Sequence, residues 1–190
     1  MTTILHNGPM FKDPSFIHMR CDCWESKKNI ITILKDSGHK LRSEDHGGVI
    51  TDFHKQQDMS LRAYSNDITE IFDNELEVLA DILDVKNLEV TDSWFEDSNK
   101  NTYHGIHNHG GDGYSAVCFL EYDDQEHIPT QFVSSTLSAI SNEAMIYSPS
   151  NVIEGDIIFF PSNTLHYTEP SESDKIRSIL SWNIKFYKVK

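Results

Sequence analysis

The sequence predicts a mainly β fold, a barrel or sandwich lined by a polar pocket and buttressed by N-terminal helices. Three observations lead there. Near Leu88 the texture changes from helix-like spacing to strand-like alternation. An amphipathic stripe in the first half calls for a partner surface. The last segment, Arg177 to Tyr187, places Leu180, Trp182, Ile184 and Phe186 on one face and Arg177, Ile179, Ser181, Asn183 and Lys185 on the other. A strand that is greasy outside and polar inside suits a polar-lined barrel whose outer side is covered by helices.

Each element follows from local pattern. Trp24 to Leu34 carries apolar residues at Trp24, Ile30, Ile31 and Leu34, and Asp36-Ser37-Gly38 supplies a helix stop. A stronger helix starts at the cap-like Ser65-Asn66-Asp67 and sets Ile68, Ile71, Phe72, Leu76, Leu79 and Leu83 close to a 3.6-residue stripe. Leu88-Glu89-Val90 opens an alternation that reaches Trp94, and Tyr114 to Tyr122 reads as a nearly continuous buried strand. Ile157 to Phe160 follows the turn signal Glu154-Gly155-Asp156. The stretch Gln125 to Ser150 lacks long apolar runs and reads as a loop or lid near the pocket. With no repeat or proline-rich linker, residues 1–190 read as one domain, with a helical buttress and N-terminal strands over 1–87 and a β core over 88–190.

Composition narrows the function classes. Sixteen basic against 30 acidic residues leave a net charge of −14, which repels phosphate backbones and anionic lipid. A nonspecific nucleic-acid binder and a peripheral membrane protein are therefore disfavoured, although one local arginine could still hold a small acidic ligand. Three Trp, seven Tyr and ten Phe supply the large buried areas that a disordered acidic chain would lack. The longest apolar runs, such as Ala116 to Leu120, fall far short of the ~20 residues that cross a bilayer. The opening MTTILHNGPMFKDP shows no basic-then-apolar signal pattern, so the expected location is the cytoplasm. Cys21, Cys23 and Cys118 suit neither a disulfide framework nor a four-thiolate zinc site, and they read as reduced, structural thiols.

The histidines carry the chemistry. Three of the ten lie in Tyr103-His104-Gly105-Ile106-His107-Asn108-His109. On a strand, period two puts His107 and His109 on one face, where both reach one metal, and sends His104 to the other. His166, after the strand Ile157 to Phe160 and the turn Pro161-Ser162-Asn163-Thr164, is the best placed third ligand. Arg177 opens the polar-faced terminal strand; inside a barrel its guanidinium needs an anionic partner, and a carboxylate ligand would serve. Singly, each feature has a plain structural explanation: a surface His-x-His, a hydrogen-bonded loop histidine, a salt-bridged arginine. Their ordered combination is harder to reach by accident.

The order His107-x-His109, Glu154-Gly155-Asp156-Ile157-Ile158-Phe159-Phe160-Pro161-Ser162, Leu165-His166, Arg177 and Ser181-Trp182-Asn183 resembles the Fe(II)- and 2-oxoglutarate-dependent oxygenases. Within them it is most similar to oxygenases common in bacteriophages, including those infecting cyanobacteria. The resemblance runs from about Trp94 to Phe186; the first half matches only at His46-Gly47-Gly48 and Thr51-Asp52-Phe53-His54. It implies a double-stranded β-helix, the jelly roll or cupin-type barrel, with metal ligands on inward-facing strands. It also implies Fe(II) and 2-oxoglutarate as cofactors, dioxygen as co-substrate, and hydroxylation of an unknown protein or small molecule as 2-oxoglutarate is decarboxylated to succinate. Arg177 is the implied partner of the far carboxylate of 2-oxoglutarate, with Ser181 and Tyr103 as hydroxyl helpers.

The family triad is two histidines and one carboxylate, and this chain has His109 where the carboxylate belongs. Three completions are open: His109 binds the metal itself, Asp112 swings in across Gly110-Gly111, or water fills the third place. Strand parity favours His109. Two rival functions follow from the same departure: a non-catalytic cupin-like metal-binding or structural phage module, and a three-histidine dioxygenase that ignores 2-oxoglutarate.

Overall fold

Two antiparallel sheets face one another in the computed structural model, which describes residues 16–56 and 64–187. In chain order the elements are β1 (Ile17–Arg20), α1 (Trp24–Ser37), β2 (Ser43–Glu44), β3 (Ile50–Thr51), α2 (Phe53–Gln56), α3 (Ser65–Ile71) and α4 (Asp73–Leu83). Then follow β4 (Asn87–Ser98), β5 (His104–His107), β6 (Tyr114–Glu121), β7 (Gln131–Leu137), β8 (Ala144–Tyr147), β9 (Asp156–Pro161), β10 (Leu165–Thr168) and β11 (Arg177–Tyr187). The larger sheet runs β1-β9-β6-β11-β4-β3-β2 and the smaller β5-β10-β7-β8. This is the jelly roll, or double-stranded β-helix, that the sequence leads one to expect, with helices beside it. The opening MTTILHNGPMFKDP lies outside the described residues.

Side-chain parity on the central strands creates two cores. On β11, Leu180, Trp182 and Ile184 point away from the smaller sheet, and on β6 Ala116, Cys118 and Leu120 do the same. They meet Ile31 of α1, Ile68 of α3, Phe72, and Leu76 and Leu79 of α4. The Phe72 ring stacks on Trp182 with centroids 5.0 Å apart. The opposite parity sends Val117, Phe119 and Ile179 between the sheets, against Phe132, Ile158 and Phe160. Burial on both faces explains why β6 reads as an unbroken apolar run rather than an alternation.

Several local expectations change. The long second helix is broken at Phe72, whose φ of −107° and ψ of 24° are not helical, and it becomes α3 and α4. The stripe survives the break because Ile68, Phe72, Leu76 and Leu79 all stay in one buried cluster. Tyr64, not a serine or aspartate side chain, occupies the N-cap of α3. On α1 Ile31 is buried and Trp24 and Leu34 pack half-buried against the same core, whereas Ile30 leaves the expected stripe at 50% exposed. The stretch Gln125 to Ser150 is not a simple loop: it holds β7 and β8. Only the start of β7 is buried and all four residues of β8 are exposed, so neither leaves a clean alternation.

Two glycines fix the approach to the site. Gly155 turns into β9 with φ +87°, and a Cβ there would lie 2.6 Å from Trp24 Cγ. Gly47, with φ +80°, lets the Tyr103 carbonyl come so close that a Cβ would lie 1.9 Å from it. Tyr103 N donates to Gly47 O at 3.0 Å. The Gly47-Gly48 pair thereby anchors the start of β5.

Candidate metal centre and its cavity

β5 and β10 pair with a bulge: His166 lies opposite His107, but Thr168 lies opposite His104. Between these pairs one residue on β10, Tyr167, faces two on β5, Gly105 and Ile106, so the period-two rule fails there. His107 ends β5, and its Nδ1 donates to Gly105 O at 2.8 Å. On β10, His166 Nδ1 donates to Thr164 O at 3.0 Å. His109 lies two residues beyond β5, not on it; its backbone N donates to Ser162 O at 2.8 Å. Its Nδ1 donates to Asn183 Oδ1 at 3.0 Å and lies 2.9 Å from Ser115 Oγ. Ser115 in turn donates to Asn183 Oδ1 at 2.8 Å.

These partners fix the tautomers. A carbonyl oxygen only accepts, so each Nδ1 carries the proton and each Nε2 keeps a free lone pair. The ligand atoms of His107, His109 and His166 lie within 4.8 Å of one another. Three neutral imidazoles, oriented by a second ring of hydrogen bonds, are a donor set that suits a divalent first-row metal. Trp94 packs edge-on to His109 at 5.0 Å and Phe160 to His166 at 4.8 Å, which keeps bulk water from the group. Burial, reinforced by neighbouring imidazoles, lowers all three titrations, that of His109 to about 4 and that of His166 well below the ordinary value.

The bulge brings His104 into the site instead of sending it to the other face. Its ring stacks on His107 with centroids 4.1 Å apart, and its Nδ1 meets Glu96 Oε2 at 2.8 Å. Burial opposes the charged form of His104, yet the Glu96 carboxylate outweighs it and holds the titration above the ordinary value. Glu96 is itself buried. Neither residue stands out in the sequence as part of a site. A parity signal exists for Glu96, which shares the inward face of β4 with Trp94 and Ser98.

Arg177 is 3% exposed, and its Nη2 donates to Thr130 Oγ1 at 3.0 Å. Its Nε and Nη1 have no hydrogen-bond partner among the described residues. Burial works against the guanidinium charge, which Glu96 supports from outside ion-pair range. A buried cation with two unanswered donors fits an acidic ligand. Beside the histidines lies a chamber of about 20 Å³, whose wall includes Glu96, Val117, Ile179, Ser181 and Thr130, the residue that accepts from Arg177. That is room for about one water. On the outer side a cavity of about 330 Å³ opens past Trp94, Phe53, Asn108 and Asn183.

The structure thus brings together His107, His109 and His166, and sets Ser181 in the chamber wall with Arg177 bonded to Thr130 behind it. Tyr103 is not among the residues lining either cavity: 49% exposed, it is held at the surface by its backbone bond to Gly47. Asp112 is exposed in its loop and outside the metal-ligating group.

A jelly roll with three histidines able to hold a metal and a buried, unanswered arginine fits the Fe(II)- and 2-oxoglutarate-dependent oxygenases. Residues 92–183 match the model of the family described as "Putative 2OG-Fe(II) oxygenase", a span that includes the histidine group, Glu96, Arg177 and Ser181. The matched family and the similar solved structures are those of 2OG-Fe(II) oxygenases, whose cofactors are iron and 2-oxoglutarate. Among similar solved structures is the viral collagen prolyl hydroxylase of Paramecium Bursaria Chlorella virus-1, 11% identical over 95% of this chain and 100% of that one, with a TM-score of 0.61. A Pseudomonas putida prolyl-4-hydroxylase is 11% identical over 90% and 92%, with a TM-score of 0.56. The α-ketoglutarate-dependent carbocyclase SnoK of nogalamycin biosynthesis is 15% identical over 90% and 79%, with a TM-score of 0.63. At such identities the likeness is one of fold. No curated protein matches the chain. No helix of the described residues is long and apolar enough to cross a membrane.

Proposed function

We propose that this chain is an Fe(II)/2-oxoglutarate-dependent dioxygenase that hydroxylates a protein or small-molecule substrate as 2-oxoglutarate becomes succinate. The observation that carries this reading is the tautomer lock: three Nδ1 atoms tied to acceptors, with three Nε2 lone pairs left for one ion. His107, His109 and His166 hold the metal, and His109 takes the place of the usual carboxylate. Bound iron and 2-oxoglutarate supply the reductive activation of dioxygen. The protein orients the ligands through Gly105, Thr164, Ser115 and Asn183 and excludes water with Trp94 and Phe160. Arg177 holds the far carboxylate of 2-oxoglutarate, with Ser181 beside it. The C-terminal signature supports a place among the bacteriophage members of the family, at work in the host cytoplasm.

The test is optical. Anaerobic Fe(II) with 2-oxoglutarate is expected to give a weak visible charge-transfer band. Its absence supports a non-catalytic metal module, and iron binding indifferent to 2-oxoglutarate supports the co-substrate-independent dioxygenase. Arg177→Ala is expected to weaken 2-oxoglutarate binding by about 1.5–3 kcal/mol, the scale of hydrogen bonds to charged groups. Unchanged affinity removes Arg177 from this role.

A further inference from the structure

Beside the metal group runs an open groove of about 980 Å³ whose apolar wall is Phe16, Phe132, Met145, Ile146, Tyr147 and Leu165. Among the described residues none that lines it is charged, although the chain as a whole carries −14. The groove ends at the histidines. Asn108, which lines both the groove and the outer cavity, sits between His107 and His109, and Leu165 directly precedes His166. Strand alternation explains the last pair: Leu165 turns outward as His166 turns in.

The far wall is β8, the outermost strand of the smaller sheet, which pairs with β7 alone among the described strands. Met145, Ile146 and Tyr147 are all substantially exposed there. An edge strand offers backbone N–H and C=O groups that another extended chain can answer. A nucleic acid needs cations that the groove lacks. A compact apolar molecule gains most from an enclosed pocket, and this trough is open and edged by main chain.

We propose that the groove binds an uncharged, extended polypeptide segment, which adds a strand to the free edge of β8 and delivers one side chain to the histidine group. The polypeptide is the substrate if the oxygenase reading holds, and the proposal rests on that reading for its catalytic meaning. Apolar side chains of the segment pack on Tyr147, Phe132 and Phe16, whose rings already interlock at 4.8 and 5.7 Å. A charged side chain would be stripped of water in the groove with no partner.

The experiment uses the full chain without iron or 2-oxoglutarate, so its outcome is independent of the optical test. Fluorescein-labelled, end-blocked octapeptide pools of random uncharged sequence are compared by anisotropy with matched pools carrying two lysines or two glutamates. The uncharged pool is expected to bind at least ~10-fold more tightly. Ile146→Lys, at an exposed position that tolerates the change, is expected to lower that affinity at least ~10-fold, while Ile140→Lys, exposed outside the groove, leaves it unchanged. Equal or tighter binding of a charged pool, or binding indifferent to Ile146→Lys, overturns the proposal. Dodecyl maltoside binding below its micellar concentration, with no peptide pool retained, also overturns it and assigns the groove to lipid-like chains.

Discussion

At the residue scale, the histidine group depends on side chains outside it. Asn183 accepts from both His109 and Ser115, and so sets the direction of the third ligand. Asn183→Leu keeps the size but removes the acceptor. Metal affinity is expected to fall by about 10–100-fold, measurable by cobalt(II) titration of the visible absorption. Glu96 acts in the opposite sense. It brings a negative charge into the chamber where, on the proposed reading, 2-oxoglutarate would lie, and with His104 it lines a space of about 20 Å³. Glu96→Ala widens the chamber and removes the repulsion. It is expected to tighten 2-oxoglutarate by at least ~10-fold, or ~1.4 kcal/mol, read from the anaerobic charge-transfer titration. The grouping of His107, His109 and His166 was legible in their order along the chain, although His109 lies beyond the strand whose alternation pointed to it. His104 was not, because the bulge that turns it inward depends on how β10 pairs with β5. Glu96 was hidden for a different reason: one glutamate in an alternating strand looks like a solvent-facing residue until its neighbours are known.

At the element scale, the helices hold to the larger sheet by more than apolar contact. Lys27 of α1 reaches Glu75 of α4 at 2.6 Å, and Cys21 Sγ donates to the same carboxylate at 3.1 Å. Burial works to raise the Glu75 titration, but the bonds from Lys27 and Cys21 outweigh it and hold it below the ordinary glutamate value. A lowered carboxylate contributes stability that is full above the unfolded value of about 4.3 and is lost as pH falls through the folded one. Lys27→Met is therefore expected to cost about 1.5–3 kcal/mol near neutral pH. In denaturant melts that difference shrinks below about pH 4.3, as Glu75 takes up a proton in both proteins. Strands buried on one or both faces, such as β6, β9 and β11, could be read from their residues. β7 and β8 could not, since β8 is exposed throughout and β7 is buried only at its start, so neither carries an alternation to read. The break at Phe72 was equally silent, because the stripe continues through it.

At the scale of the whole molecule, parity on β6 and β11 divides the interior into one core under the helices and another between the sheets. The second core stops where the polar site begins. His107 and His166 stand on strands of the smaller sheet, whereas His109 is held through Ser115 of β6 and Asn183 of β11 in the larger one. One ion gripping all three would act as a clasp between the two layers, closing the open end of the roll as a button closes a cuff. Occupancy at 100 times the dissociation constant adds about 2.7 kcal/mol to the folded state, so cobalt(II) is expected to raise the melting temperature and a chelator to reverse the gain. Because β5 and β10 carry two of the three imidazoles, removal of the ion is expected to be felt first as faster amide exchange in those strands, with the helix-covered side unchanged.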